Sequence, residues 1–111
     1  MDPKDFNKKK RPEAKIQKEV IAYLEERGWF VKVTHGNAYQ SGLTDLIVCH
    51  KVYKIRFIDI KVAGSYKLTK AQLRDWPKFC KNGAGVWIMV AATDFEYKKL
   101  FKEPNWAMYL L

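Results

Sequence analysis

The stretch LTDLIVCHKVYKIRFIDIK, residues 43–61, decides how this chain is read. Asp45 stands ahead of an apolar run, a short basic break follows, and a second apolar run ends in Asp59-Ile60-Lys61. Two β-branched runs of this length joined by a tight turn predict an antiparallel hairpin, with strands over 43–50 and 52–62. Strand side chains alternate faces with a period of two, so Asp59 and Lys61 share a face. Asp45 lies 14 residues before Asp59, which brings both to the same end of an antiparallel pair. Two carboxylates and an ammonium then converge at one rim of a sheet.

Like charges this close repel, and one carboxyl pKa rises unless a cation lies between them. Hard divalent cations such as Mg²⁺ take oxygen ligands and keep several waters. A metal held by Asp45 and Asp59 would bind a phosphodiester oxygen and activate a water. Lys61 would stabilise charge on the phosphate or orient that water. The competing reading of the same three residues is a solvated strand edge with a weak surface ion pair.

On the N-terminal side, Pro12 suits the first turn of a helix that runs from about Glu13 to Arg27 and stops at Gly28. Ile16, Val20, Tyr23 and Leu24 follow the 3.6-residue period and define its buried stripe. Glu13 and Gln17 lie on the face of Val20 and Leu24, which aims Glu13 into the fold as the helical acid. Glu19 and Glu25 are rotated outward. Residues 29–34 (WFVKVT) predict a first strand, and 35–42 (HGNAYQSG) a loop by composition.

On the C-terminal side, Thr69 caps a helix over Lys70 to Lys81, with Leu73, Trp76, Phe79 and Cys80 as its apolar stripe and a kink expected at Pro77. Lys67, Lys70 and Arg74 around its head suit a DNA backbone. Residues 86–92 (VWIMVAA) predict a strand that is central or covered by helices. Thr93 or Asp94 caps a short helix through Phe101. Residues 106–111 are apolar and predict an edge strand, half of a dimer contact or an end packed back on its own domain. This order of elements predicts an α/β fold, bordering on α+β, with a mixed central sheet.

At 111 residues the chain makes one domain, read here as a flexible basic arm over 1–11 and a single domain over 12–111. Lys and Arg number 21 against 12 acidic residues, a net charge of +9 that favours a polyanionic partner, nucleic acid first. Lys8, Lys9, Lys10 and Arg11 in the arm suit phosphate backbones. Cys49 and Cys80 make no disulfide framework, and Cys49 reads as a buried thiol. No apolar run approaches the roughly 20 residues of a membrane helix, and no signal stretch opens the chain. The expectation is an intracellular protein with no membrane partner.

Four motifs in order resemble the PD-(D/E)xK nuclease superfamily, and within it the small stand-alone VRR-NUC-type and Holliday-junction-resolvase-like nucleases. They are Glu-Ala-Lys-Ile-Gln at 13–17, Gly-Leu-Thr-Asp at 42–45, Phe-Ile-Asp-Ile-Lys at 57–61 and Leu-Thr-Lys-Ala-Gln at 68–72. Thr44 stands where that family usually has Pro, and Asp59 where the subfamily usually has Glu. The resemblance implies a restriction-endonuclease-like core and a Mg²⁺- or Mn²⁺-dependent endonuclease acting on branched or duplex DNA, such as a Holliday junction, as a homodimer. It implies Glu13, Asp45, Asp59, Lys61 and Gln72 as catalytic residues. Glu13, Asp45, Asp59 and the Ile60 carbonyl would be metal ligands, Gln17 would lie near the DNA, and the loop before Asp45 would approach it, with His35, Asn37 and Ser41 placed to contact phosphate. A non-catalytic nucleic-acid-binding domain of the same fold, and an interaction domain that needs a partner, are the alternatives.

Overall fold

In the computed structural model, residues 11–34 and 42–110 are described. Lys8, Lys9, Lys10, His35, Asn37, Ser41 and the side chain of Arg11 therefore lie outside the described residues. Helix α1 (Arg11–Glu25) begins two residues before the expected start, since Pro12 costs nothing in a first turn. It ends where Gly28 takes a φ of +87°, which lets the chain reverse and the Trp29 amide bond back to the Leu24 carbonyl at 3.1 Å.

Four strands follow in the spatial order β1 (Phe30–Val33), β2 (Leu46–His50), β3 (Lys54–Ile60) and β4 (Val86–Met89). The first two junctions are antiparallel and the third is parallel, so the sheet is mixed and the fold is α+β. Helix α2 (Lys70–Lys81) makes the crossover between β3 and β4. Helix α3 (Asp94–Lys98) and two 3₁₀ turns, Lys99–Phe101 and Trp106–Tyr109, close the chain.

The sheet is packed on both faces. Val20 and Leu24 of α1 bury Leu46, Val48, Ile58 and Ile60 together with Trp87, Met89 and Leu100. On the other face Trp76 of α2 meets Val86 and Ile88, with Phe57 and Phe79 beside them. Alternation along β3 explains the split: Ile58 and Ile60 point towards α1, while Phe57 and Asp59 point towards α2. Truncating a fully enclosed side chain such as Leu24 costs about 2–5 kcal/mol.

Several expectations change. β4 is the outermost strand of its sheet, and it is buried because other groups cover it. The Asn105 side chain accepts the Ile88 N–H at 2.8 Å and donates to the Ile88 carbonyl at 3.2 Å, standing in for a neighbouring strand. Residues 106–109 form a 3₁₀ turn and not an edge strand. Cys49 is exposed, because it lies in register with Phe30 and Ile55 in a row across three strands that no described helix covers. Leu73 also faces solvent, since the buried stripe of α2 narrows to Trp76, Phe79 and Cys80. The helix runs through Pro77 without interruption. No helix among the described residues is long and apolar enough to cross a membrane.

Candidate active site

The register that pairs Leu46 with Ile58 carries one step further to Asp45 and Asp59. There each carboxylate is held by a backbone amide from the opposite side of the pair. The Asp45 amide donates to Asp59 Oδ1 at 3.2 Å, and the Ile60 amide donates to Asp45 Oδ2 at 2.7 Å. The turn that delivers Asp45 is itself fixed. Thr34 donates its hydroxyl to the Thr44 carbonyl and its amide to the Asp45 carbonyl at 2.9 Å, and the Thr44 hydroxyl donates to the Leu46 carbonyl at 3.0 Å. Thr44 thus stiffens this turn by a hydrogen bond where the resembling family usually has a proline.

Gly42 explains the Gly-x-x-Asp spacing. Its φ is +87°, and a Cβ there would lie 2.3 Å from Asp75 Oδ2 and 2.9 Å from the Ala71 carbonyl oxygen. Only glycine lets the chain pass this close to α2 on its way to Asp45.

Asp59 is 2 % exposed and Lys61 is 8 % exposed. Lys61 Nζ reaches Asp59 Oδ2 at 3.1 Å, the Lys67 carbonyl at 3.1 Å and Gln72 Oε1 at 3.2 Å. An ammonium has three protons, so all of them have an acceptor. The ring of Trp76 lies beneath, its centroid 5.9 Å from Nζ. Gln72 Nε2 turns towards Asp59 Oδ2 at 3.5 Å. Burial, and then the facing Asp45, push the Asp59 carboxyl up to about 8, against the opposing pull of Lys61.

These residues line one cleft of about 310 Å³, together with Glu13, Lys67, Thr69 and others. Glu13 is half-buried in the first turn of α1, where its charge suits the helix N-terminus. Among the described residues, no three His, Cys, Asp or Glu side chains are drawn together into a ready-made cage. The donor set nonetheless fits a hard divalent ion. Mg²⁺ takes one or two carboxylates and completes its shell with water and substrate oxygens; burial and the facing Asp45 raise the Asp59 pKa, and a cation between the two carboxyls would relieve their mutual repulsion. Ile60 has its side chain in the core, so only its carbonyl can serve as a ligand.

The residues expected near DNA divide. Lys67 and Lys70 are exposed beside the cleft. Arg74 is exposed but engaged by Asp75, with contacts of 2.7 and 2.9 Å, and that guanidinium holds the Asp75 carboxyl below its ordinary range. It is a weaker phosphate ligand than its charge suggests. Gln17 is not among the residues lining the cleft; its side-chain oxygen is enclosed, without a hydrogen-bond partner among the described residues. Sequence reasoning missed Thr34 and the Lys67 carbonyl, which no local pattern marks. It also missed the pairing of Thr69 with Gln72, although Thr-x-x-Gln is capping-box spacing.

No family model matches the sequence, and no curated protein matches it. A search of solved structures finds a VRR_NUC domain with a TM-score of 0.64 and 27 % sequence identity, covering 81 % of this chain and 95 % of that one.

Proposed function

For a chain that has the VRR-NUC-type nuclease fold of the PD-(D/E)xK superfamily, we propose that it hydrolyses DNA phosphodiester bonds in this cleft with a divalent cation as cofactor. The observation that carries the reading is the convergence of Asp45, Asp59 and Lys61, from two strands, on one buried rim. A Mg²⁺ or Mn²⁺ ion would be held by Asp45 and Asp59, with Glu13 and the Ile60 carbonyl as further donors, and would supply positive charge at the phosphodiester and acidify water.

The protein's own groups do the remaining work. The Ile60 and Asp45 amides orient the two carboxylates before any ligand arrives, so little reorganisation is left for the reaction itself. Lys61 reaches a phosphate oxygen by exchanging one of its three acceptors for it. Gln72 keeps Lys61 and Asp59 at a fixed spacing. Lys67 and Lys70 receive the strand, and the net charge of +9 draws it in. One cleft serves one strand at a time, which favours branched DNA such as a four-way junction cut by two copies as a homodimer. An intracellular setting follows from this substrate.

The test is cleavage of labelled four-way junction, flap and linear duplex with Mg²⁺ or Mn²⁺, wild type beside Asp59→Ala and Lys61→Ala. Cutting by wild type alone is expected, fastest on branched DNA. Tight, salt-sensitive binding by all three proteins with no cutting would replace the enzyme by a nucleic-acid-binding domain.

A further inference from the structure

We infer that Thr69 is a positioning residue of the cleft: a reciprocal capping box fixes Gln72, and Gln72 in turn fixes Lys61 against Asp59. Thr69 Oγ1 accepts the Gln72 N–H at 3.1 Å, and Gln72 Oε1 accepts the Thr69 N–H at 3.0 Å. That same Oε1 accepts from Lys61 Nζ at 3.2 Å. One carbonyl oxygen therefore spends both lone pairs, one on the helix cap and one on the ammonium. The amide cannot flip, because its NH₂ would then meet two donors in a pocket where Gln72 is 9 % exposed and water has little access. The orientation imposed by Thr69 also leaves Nε2 directed at Asp59. Two residues upstream, the Lys67 carbonyl takes another Lys61 proton. Residues 67–72 thus form a preformed socket for the Lys61 ammonium, with the cap of α2 as its frame.

The catalytic consequence rests on the nuclease reading above, while the socket itself can be tested without it. Helix α3 provides the control. Thr93 caps it by accepting the Glu96 N–H at 3.2 Å, and Glu96 holds Lys99, far from the cleft in the chain and absent from its lining. The metal-free full chain is labelled with a small amine-reactive reagent, and the rates at Lys61 and Lys99 are read by peptide mass spectrometry. Loss of a cap predicts that Thr69→Ala raises the Lys61 rate by about tenfold and leaves Lys99 unchanged. Thr93→Ala should do the reverse, and Thr69→Ser should restore Lys61 protection.

In cleavage assays Thr69→Ala should lower kcat by a similar factor with KM for DNA unchanged, and Thr69→Ser should recover it. An unchanged Lys61 rate in Thr69→Ala, or an equal rise in Thr93→Ala, overturns the proposal, because the threonine would then act only on global stability. If wild type does not cut, the nuclease reading fails, and the labelling rates still decide the positioning role.

Discussion

Helices α2 and α3 begin alike. Thr69 and Thr93 each accept the amide three residues on, and those residues, Gln72 and Glu96, are both buried and both meet a lysine. In α3 the partners neutralise each other. Glu96 Oε2 lies 2.5 Å from Lys99 Nζ, and its other oxygen accepts the Val90 amide at 2.9 Å. In α2 the capping residue is neutral, so the charge of Lys61 is directed to Asp59, which also faces Asp45. A threonine cap of this kind builds a closed staple when the residue three positions on is Glu, and a socket that holds a lysine of the sheet rim against Asp59 when that residue is Gln.

The strongest way to break the contrast is to remove each lysine in turn. Lys61→Ala should lower cleavage by about 10²–10³-fold, the usual cost of losing one preorganised electrostatic group, measured as single-turnover rate with Mg²⁺. Lys99→Ala should leave that rate unchanged and cost about 2–3 kcal/mol in urea unfolding. This is less than for a fully enclosed pair, since a quarter of the Lys99 side chain reaches solvent.

A third prediction sharpens the charge argument. The folded protein retains the Asp59 proton up to about pH 8, whereas the unfolded chain releases it near 3.8. The native state therefore binds more protons in between, and stability falls as pH rises through that window. The Tm of the metal-free protein should decline between pH 5 and pH 8.5, and Asp59→Asn should flatten the decline. A Tm that rises over this range in wild type would contradict it. The smallest expected effect is at the control cap: Thr93→Ala should cost about 1 kcal/mol, with Thr93→Ser recovering most of it.

Much of the rim was legible in the sequence for a simple reason. Period-two alternation and a tight turn after His50 fix where Asp45, Asp59 and Lys61 must meet, and both rules act locally, although the turn takes residues 51–53 and β3 starts at Lys54, two residues later than expected. The seven-residue spacing from Glu13 to Val20 likewise aimed Glu13 at the cleft it lines. What the sequence hid depends on groups distant in the chain. Arg74 reads as a DNA ligand until Asp75 engages it, and Leu73 fits a helical stripe although it is exposed among the described residues. Cys49 sits in an apolar run whose far end lies bare. Residues 86–92, apolar on both faces, read as central or covered by helices; β4 lies at the sheet's edge, and its outer rim is covered by side chains from later in the chain, Asn105 and Glu96.

This cover has a bearing on how copies of the molecule behave when crowded together. The outer rim of a sheet is a template on which foreign strands polymerise, and aggregation commonly starts there. Asn105 occupies both the donor and the acceptor of Ile88, and Glu96 takes the next amide at Val90. An incoming strand would have to evict an amide and a carboxylate before forming its first rung. The apolar strand VWIM thus offers a foreign strand no open rung at Ile88.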